Sequence, residues 1–247
     1  MIVALNNKSN LDKNAYLDYL ERLSKVTTDY ELILCPTHLN ISQTNITNVK
    51  LGAENVSSRK DGAFTGEVSA SQLKSYGVEY TIVGHSERRE YQKENFTDIN
   101  EKVKRLYEEG ITPILCIGES KEQRENTDFK EFLADEIITA IDGLTEEQIN
   151  KLIIAYEPIW SIGTGIIPTE EQIIDVFDYI KEKLPNNRDV LHLEQRLTDL
   201  VNKGYDIREI NGEVFLTNGT DTIKTGLIPS SSEIFNKSVI DPDILSV

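Results

Sequence analysis

Two short segments hold residues able to move protons. Residues 154–165 read Ile-Ala-Tyr-Glu-Pro-Ile-Trp-Ser-Ile-Gly-Thr-Gly: an apolar run, the carboxylate Glu157, then a loop with Gly163, Gly165 and the chain's only tryptophan, Trp160. Val83 through Arg89 places His85 directly after another apolar run. Lys8 follows a third, Ile2–Asn6. A carboxylate and an imidazole at strand tips suit proton transfer, and a glycine-hinged loop beside them can close over the reaction.

Each residue has an ordinary alternative. Lys8 reads equally as a solvated lysine, His85 as a core histidine bonded to backbone, and Glu157 as the partner of an arginine. Glu87 is either a supporting carboxylate or an ion-pair partner of Arg88 or Arg89. Shared location at strand ends argues against all three ordinary readings holding at once. Gly163-Thr164-Gly165 is neither a Walker loop nor a dinucleotide fingerprint. Glycine there lets backbone approach a phosphate and absorb a hinge motion.

These residues need strands to carry them. The sequence predicts strands at Ile2–Asn6, Glu31–Pro36, Val49–Ala53, Tyr80–Gly84, Thr112–Ile117 and Leu152–Tyr156. Most are continuous apolar runs, as parallel strands covered on both faces require. Amphipathic stretches lie between them, for example Asp98–Glu109 and Phe129–Leu144. Thr169-Glu170-Glu171-Gln172 is a capping box opening a helix with Ile173, Phe177, Ile180 and Leu184 on one face, and Pro185 stops it. Strand–helix alternation implies right-handed βαβ units, six of them by residue 184. Lys8, His85 and Glu157 then end the first, fourth and sixth strands, on the face where parallel barrels build active sites.

The pattern changes near residue 189. Asp189–Leu193 reads as a strand and Glu194–Lys203 as a helix. Asp206–Ile210, Glu213–Thr217 and Thr220–Thr225 follow, separated by Asn211-Gly212 and Asn218-Gly219, a strong hairpin signal. This is a three-stranded meander where strand–helix repeats belong. From Pro229 onward the chain reads as irregular. Residues 1–188 are thus expected to form six barrel units, and 189–247 an atypical segment, with completion of the barrel left open. Without a seventh and eighth strand, two sheet edges stay unpaired.

Composition narrows the partners. Among 247 residues, 42 are acidic and 26 basic, for a net charge of −16, so nucleic acid and anionic membranes are not expected to bind. An anionic substrate needs a local positive field, from Lys8 or helix N-termini. Mean hydropathy is −0.36, and no apolar run reaches membrane-spanning length. Cys35 and Cys116 lack metal-ligand spacing and read as buried thiols in a reducing compartment. With no signal-peptide pattern at the N-terminus, the expected location is cytoplasmic.

Taken together, the segments resemble triosephosphate isomerases. The matching stretches are Asn6-Asn7-Lys8, Gly62-Ala63-Phe64-Thr65-Gly66-Glu67, Val83 through Arg89, Cys116-Ile117-Gly118-Glu119 and Tyr156 through Gly165, in the family's order over residues 1–184. The resemblance implies an α/β fold of the (β/α)8 TIM-barrel type, here with the last two units atypical or replaced by a helix plus meander. It implies interconversion of dihydroxyacetone phosphate and glyceraldehyde 3-phosphate with no metal or organic cofactor. Glu157 would be the base and a neutral His85 the electrophile, a division of roles already established for that family. Lys8 and Asn6 would stabilise the enediolate and hold substrate, with Glu87 supporting. Pro158–Ile167, with Trp160, Gly163 and Gly165, would form the lid, and the Gly163 N–H would grip the phosphate. A homodimer with Asn55 and Thr65 at its interface is also implied.

The chain departs from that pattern in its tail. It has no Gly-Gly pair, and no serine turn of the kind that binds phosphate in the family. Glu54 stands where glutamine is common, and Ile166-Ile167-Pro168 replaces the usual second hinge of the lid. These departures keep open a different reading, a non-catalytic barrel homologue serving as a binding or scaffold protein.

Overall fold

The computed structural model describes residues 2–126, 128–162, 164 and 166–184, and strand segments 190–194, 206–210, 213–217, 222–224 and 237–240. The chain divides into two compact units, Met1–Glu54 with Leu193–Val247, and Asn55–His192. Each is built on parallel strands.

In the first unit, β1 (Ile2–Asn6) is buried along its whole length because strands flank it on both sides. β2 (Glu31–Cys35) lies along one edge and carries β3 (Lys50–Ala53) beyond it. Helix α1 (Lys13–Leu23) starts where the Asp12 side chain accepts the N–H groups of Asn14 and Ala15. Its residues Tyr16, Tyr19, Leu20 and Leu23 recur at helical spacing and pack on Val3, Leu5, Leu32 and Leu34. A single turn, α2 (His38–Ile41), follows β2.

The second unit begins with α3 (Ala70–Ser75) and β4 (Tyr80–Val83), then α4 (Ser86–Tyr91), α5 (Phe96–Glu108) and β5 (Thr112–Ile117). Next come α6 (Lys121–Asn126), α7 (Phe129–Ile141), α8 (Glu146–Lys151), β6 (Ile153–Tyr156) and α9 (Glu170–Lys183). β4, β5 and β6 pair in parallel, and β7 (Val190–Glu194) pairs with β6 through Val190–His192. Ile99, Val103 and Leu106 of α5 are fully buried, and α5 packs on β4, β5 and α7. The Thr169–Gln172 capping box is present, and Ile173, Val176, Phe177 and Ile180 of α9 are buried.

β8 (Asp206–Ile210), β9 (Glu213–Thr217) and β10 (Thr222–Lys224) form the expected antiparallel meander. The two asparagine–glycine turns between these strands, and residues 195–203 of the helix expected at Glu194–Lys203, lie outside the described residues. One expectation is corrected. The closing stretch, read as irregular, contains β11 (Lys237–Ile240), which pairs in parallel with β1 from Ile2↔Lys237 to Leu5↔Ile240. Lys-Ser-Val-Ile has too few apolar residues to announce a strand, and a ready backbone edge supplies what the side chains do not. The edges of β1 and β6 are therefore paired, by β11 and β7.

Truncation after residue 236 removes β11 and bares the backbone edge of β1. The expected result is aggregated or oligomeric material on gel filtration, compared with the full chain.

Candidate active site

Gly84 follows β4 with φ +72, and a side chain there would run into Ile99 and the Cys116 carbonyl. That turn delivers His85, only 4% exposed, as the N-cap of α4. His85 Nδ1 accepts the Glu87 N–H at 3.3 Å. With Nδ1 acting as acceptor, the neutral ring carries its proton on Nε2. Nε2 lies 3.2 Å from Oε1 of Glu157. The Glu87 carboxylate stands 3.5 Å from Nδ1 and is partly exposed.

Glu157 follows β6 and has no solvent exposure. A buried carboxylate is costly unless its oxygens are satisfied, and α4 satisfies both. Ser86 donates its N–H to Oε2 and its hydroxyl to Oε1, each at 2.9 Å. Arg89 Nη2 stands 3.9 Å from Oε2. The Glu157 backbone is seated on β5: its N–H donates to the Ile117 carbonyl at 2.7 Å. Gly118 is required beside it, because a Cβ there would overlap the Glu157 carbonyl.

Two further acids surround this pair. Glu136 of α7 accepts from Arg89 Nη1 at 2.7 Å and from the Gly118 N–H at 3.0 Å. Burial pushes its carboxyl up to about 7, against the pull of Arg89 and the Gly118 N–H. Glu119 accepts from the Tyr156 hydroxyl at 2.9 Å and is bonded by Arg124. Burial raises its carboxyl too, opposed by those same donors.

The segment that follows Glu157 is anchored at its near end. Pro158 is buried and Ile159–Ser161 forms a 3-10 turn. The backbone N–H of Trp160 donates to the backbone carbonyl of Glu119 at 3.2 Å, and Arg124 lies over the Trp160 ring at 4.4 Å. Ile166 and Ile167 are exposed. Gly163 and Gly165 lie outside the described residues.

Lys8 and Asn6 belong to the other unit. Asn6 is buried at the end of β1, and Lys8 has φ 49, a left-handed conformation unusual for lysine. Its N–H donates to Asn6 Oδ1 at 3.3 Å. Such strain costs roughly 1–3 kcal/mol and concentrates at functional positions. Asn55 accepts from the buried Lys102 ammonium at 2.8 Å, and Lys102 also bonds Glu94. Thr65 is exposed, within the loop following Gly62.

His85, Glu87 and Glu157 are therefore brought together. Sequence reading missed Ser86, Arg89 and Glu136. Ser86 and Arg89 sat inside the His85 segment, and hydrogen-bond capacity beside a strand-end imidazole was the available signal. Glu136 gave none, being one more acid on an amphipathic helix.

A strand-end carboxylate within hydrogen-bond reach of a strand-end imidazole, on parallel strand–helix repeats, defines an α/β enzyme of barrel type built for proton transfer. The family model described as Triosephosphate isomerase matches residues 1–196. The triosephosphate isomerase of Clostridium novyi (strain NT) is 42% identical over 187 residues, 73% of this chain and 75% of that protein. That of Clostridium beijerinckii is 41% identical over 186 residues, and that of Alkaliphilus oremlandii 40% over 186, each with 73% and 75% coverage. The chain belongs to the triosephosphate isomerase family, and its strand–helix order is that of the family's TIM barrel.

Glu136 gives a pH prediction. Its carboxyl binds protons more tightly in the fold than at the ordinary value of 4.5, so the folded state holds the extra proton between about 4.5 and about 7. Stability contributed by this group is therefore present at low pH and lost as pH rises through that window, by an amount of order 3 kcal/mol. Glu136→Gln cannot ionise. Thermal melts at pH 5, 6.5 and 8 should show its Tm improving relative to the parent as pH rises; a constant difference contradicts the assignment.

Proposed function

We propose that the protein interconverts dihydroxyacetone phosphate and glyceraldehyde 3-phosphate through an enediolate. The observation that carries this reading is the 3.2 Å approach of His85 Nε2 to Glu157 Oε1 at the ends of two strands of one parallel sheet. Glu157 removes the proton from the carbon beside the carbonyl. His85 donates a hydrogen bond from Nε2 to the carbonyl oxygen as charge develops there. Glu157 then returns the proton to the neighbouring carbon, and the proton on oxygen moves to the other oxygen. The neutral Nε2–H tautomer suits this task, since it offers a donor without a full charge. This allocation of roles follows the family, for which it is already established.

In the resting arrangement both Glu157 oxygens accept hydrogen bonds from Ser86. An acceptor so occupied is a poor base, so the carboxylate must leave Ser86 when substrate enters. The bonds to Ser86 thus stabilise the waiting state, and substrate must replace them.

Lys8 and Asn6 stabilise the enediolate and hold substrate, and the strained Lys8 backbone supports a demanding position. The lid Pro158–Ile167 closes over the intermediate, excluding water from an enediolate that could otherwise expel its phosphate. The Gly163 N–H grips that phosphate, with Gly165 as hinge. No cofactor is needed for the steps described. The functional form is a homodimer with Asn55 and Thr65 at the interface, and its place is the cytoplasm. The exposed loop bearing Phe64 and Thr65 supports that assembly. Among the described residues, no helix is long and apolar enough to cross a membrane.

A coupled dehydrogenase assay for glyceraldehyde 3-phosphate tests the reading. The parent should turn over, and Glu157→Gln should lose about 10²–10⁴-fold in kcat, the usual worth of a positioned base. Absence of turnover from the folded parent overturns it. Because Trp160 is the only tryptophan, its fluorescence should also change when phosphoglycolate closes the lid. An unaltered spectrum at saturation contradicts the assigned lid.

A further inference from the structure

We infer that Glu136 is a positioning residue for Glu157, holding together the two surfaces on which the proposed base rests. The inference rests on the isomerase reading above. Glu157 is supported from two directions. Its backbone sits on the peptide after β5, through the Ile117 carbonyl and the close packing of Gly118. Its carboxylate sits on α4, through Ser86 and the nearby Arg89. These two supports come from different parts of the unit, and their separation fixes how far the carboxylate reaches.

Glu136 bridges them. One oxygen accepts the Gly118 N–H and the other accepts Arg89 Nη1. The side chain is almost wholly buried and enters from α7, which packs on β5 and α5. Arg89 depends on it: Nε and Nη2 are buried without hydrogen-bond partners among the described residues. A buried acid is expensive, so one that joins two separate elements points to a requirement for geometry beyond packing. Reacting groups displaced by about 1 Å can lose about 10²-fold in rate, a sensitivity that makes such a bridge consequential.

The bridge predicts a particular kinetic signature. Glutamine can accept on only one side, so Glu136→Gln should lower kcat about 10-fold and leave KM within about 2-fold, because substrate contacts are untouched. Arg89→Lys keeps the positive charge but loses the planar two-nitrogen reach, and should show the same split. Both variants are melted in parallel. Reduced Tm with parental kcat and KM, or raised KM at parental kcat, overturns the inference and leaves Glu136 a purely structural residue. A readout free of turnover separates this failure from failure of the isomerase reading. In a crystal structure of Glu136→Gln the Glu157 carboxylate should be displaced from Ser86; an unmoved carboxylate overturns the inference whether or not the parent is active.

Discussion

A carboxylate with no contact to solvent governs this site. Burying Glu157 at the end of β6 requires donors for both oxygens, and the first turn of α4 provides them through Ser86. It also requires a place for the backbone that leaves β6, which Ile117 and Gly118 supply from the neighbouring strand. Parallel pairing of β4, β5 and β6 puts all of these groups at the same ends of adjacent strands. The approach of His85 to Glu157 follows from that topology together with the cost of leaving a buried charge unsatisfied.

The acids around Glu157 divide the work by what they hold. Glu119 joins Tyr156 and Arg124, and Arg124 lies over the rings of both Phe129 and Trp160. This cluster fixes the near end of the proposed lid, while Thr164, Ile166 and Ile167 are exposed. Glu136 instead faces Arg89 and Gly118, behind the proposed base. A third cluster, Glu94 with Lys102 and Arg88, stands apart. Burial alone would raise the Glu94 carboxyl, but Lys102 and Arg88 hold it below the usual carboxylate range.

Much of this was legible in the sequence, for definite reasons. Parallel strands buried on both faces are uninterrupted apolar runs, so β1 and β5 fall at the expected residues and β2, β3, β4 and β6 within one residue at each end. The meander was marked by its asparagine–glycine turns. β11 was not, since a four-residue strand held by backbone pairing needs no apolar pattern. His85 and Glu157 stood out because each stands at the end of an apolar run. Ser86, Arg89 and Glu136 did not, because their role is set by which elements meet, a property that periodicity along one helix does not encode. The family match ends at residue 196, so β7 lies inside it, whereas the meander and β11 lie beyond.

The most direct test is where the Glu157 carboxylate lies when phosphoglycolate is bound. A crystal structure of that complex should place it against the ligand's carboxylate, which mimics the enediolate, off Ser86, with His85 Nε2 donating to a ligand oxygen. Phosphoglycolate bound elsewhere, or Glu157 still held by both Ser86 donors with the ligand in place, would contradict the account.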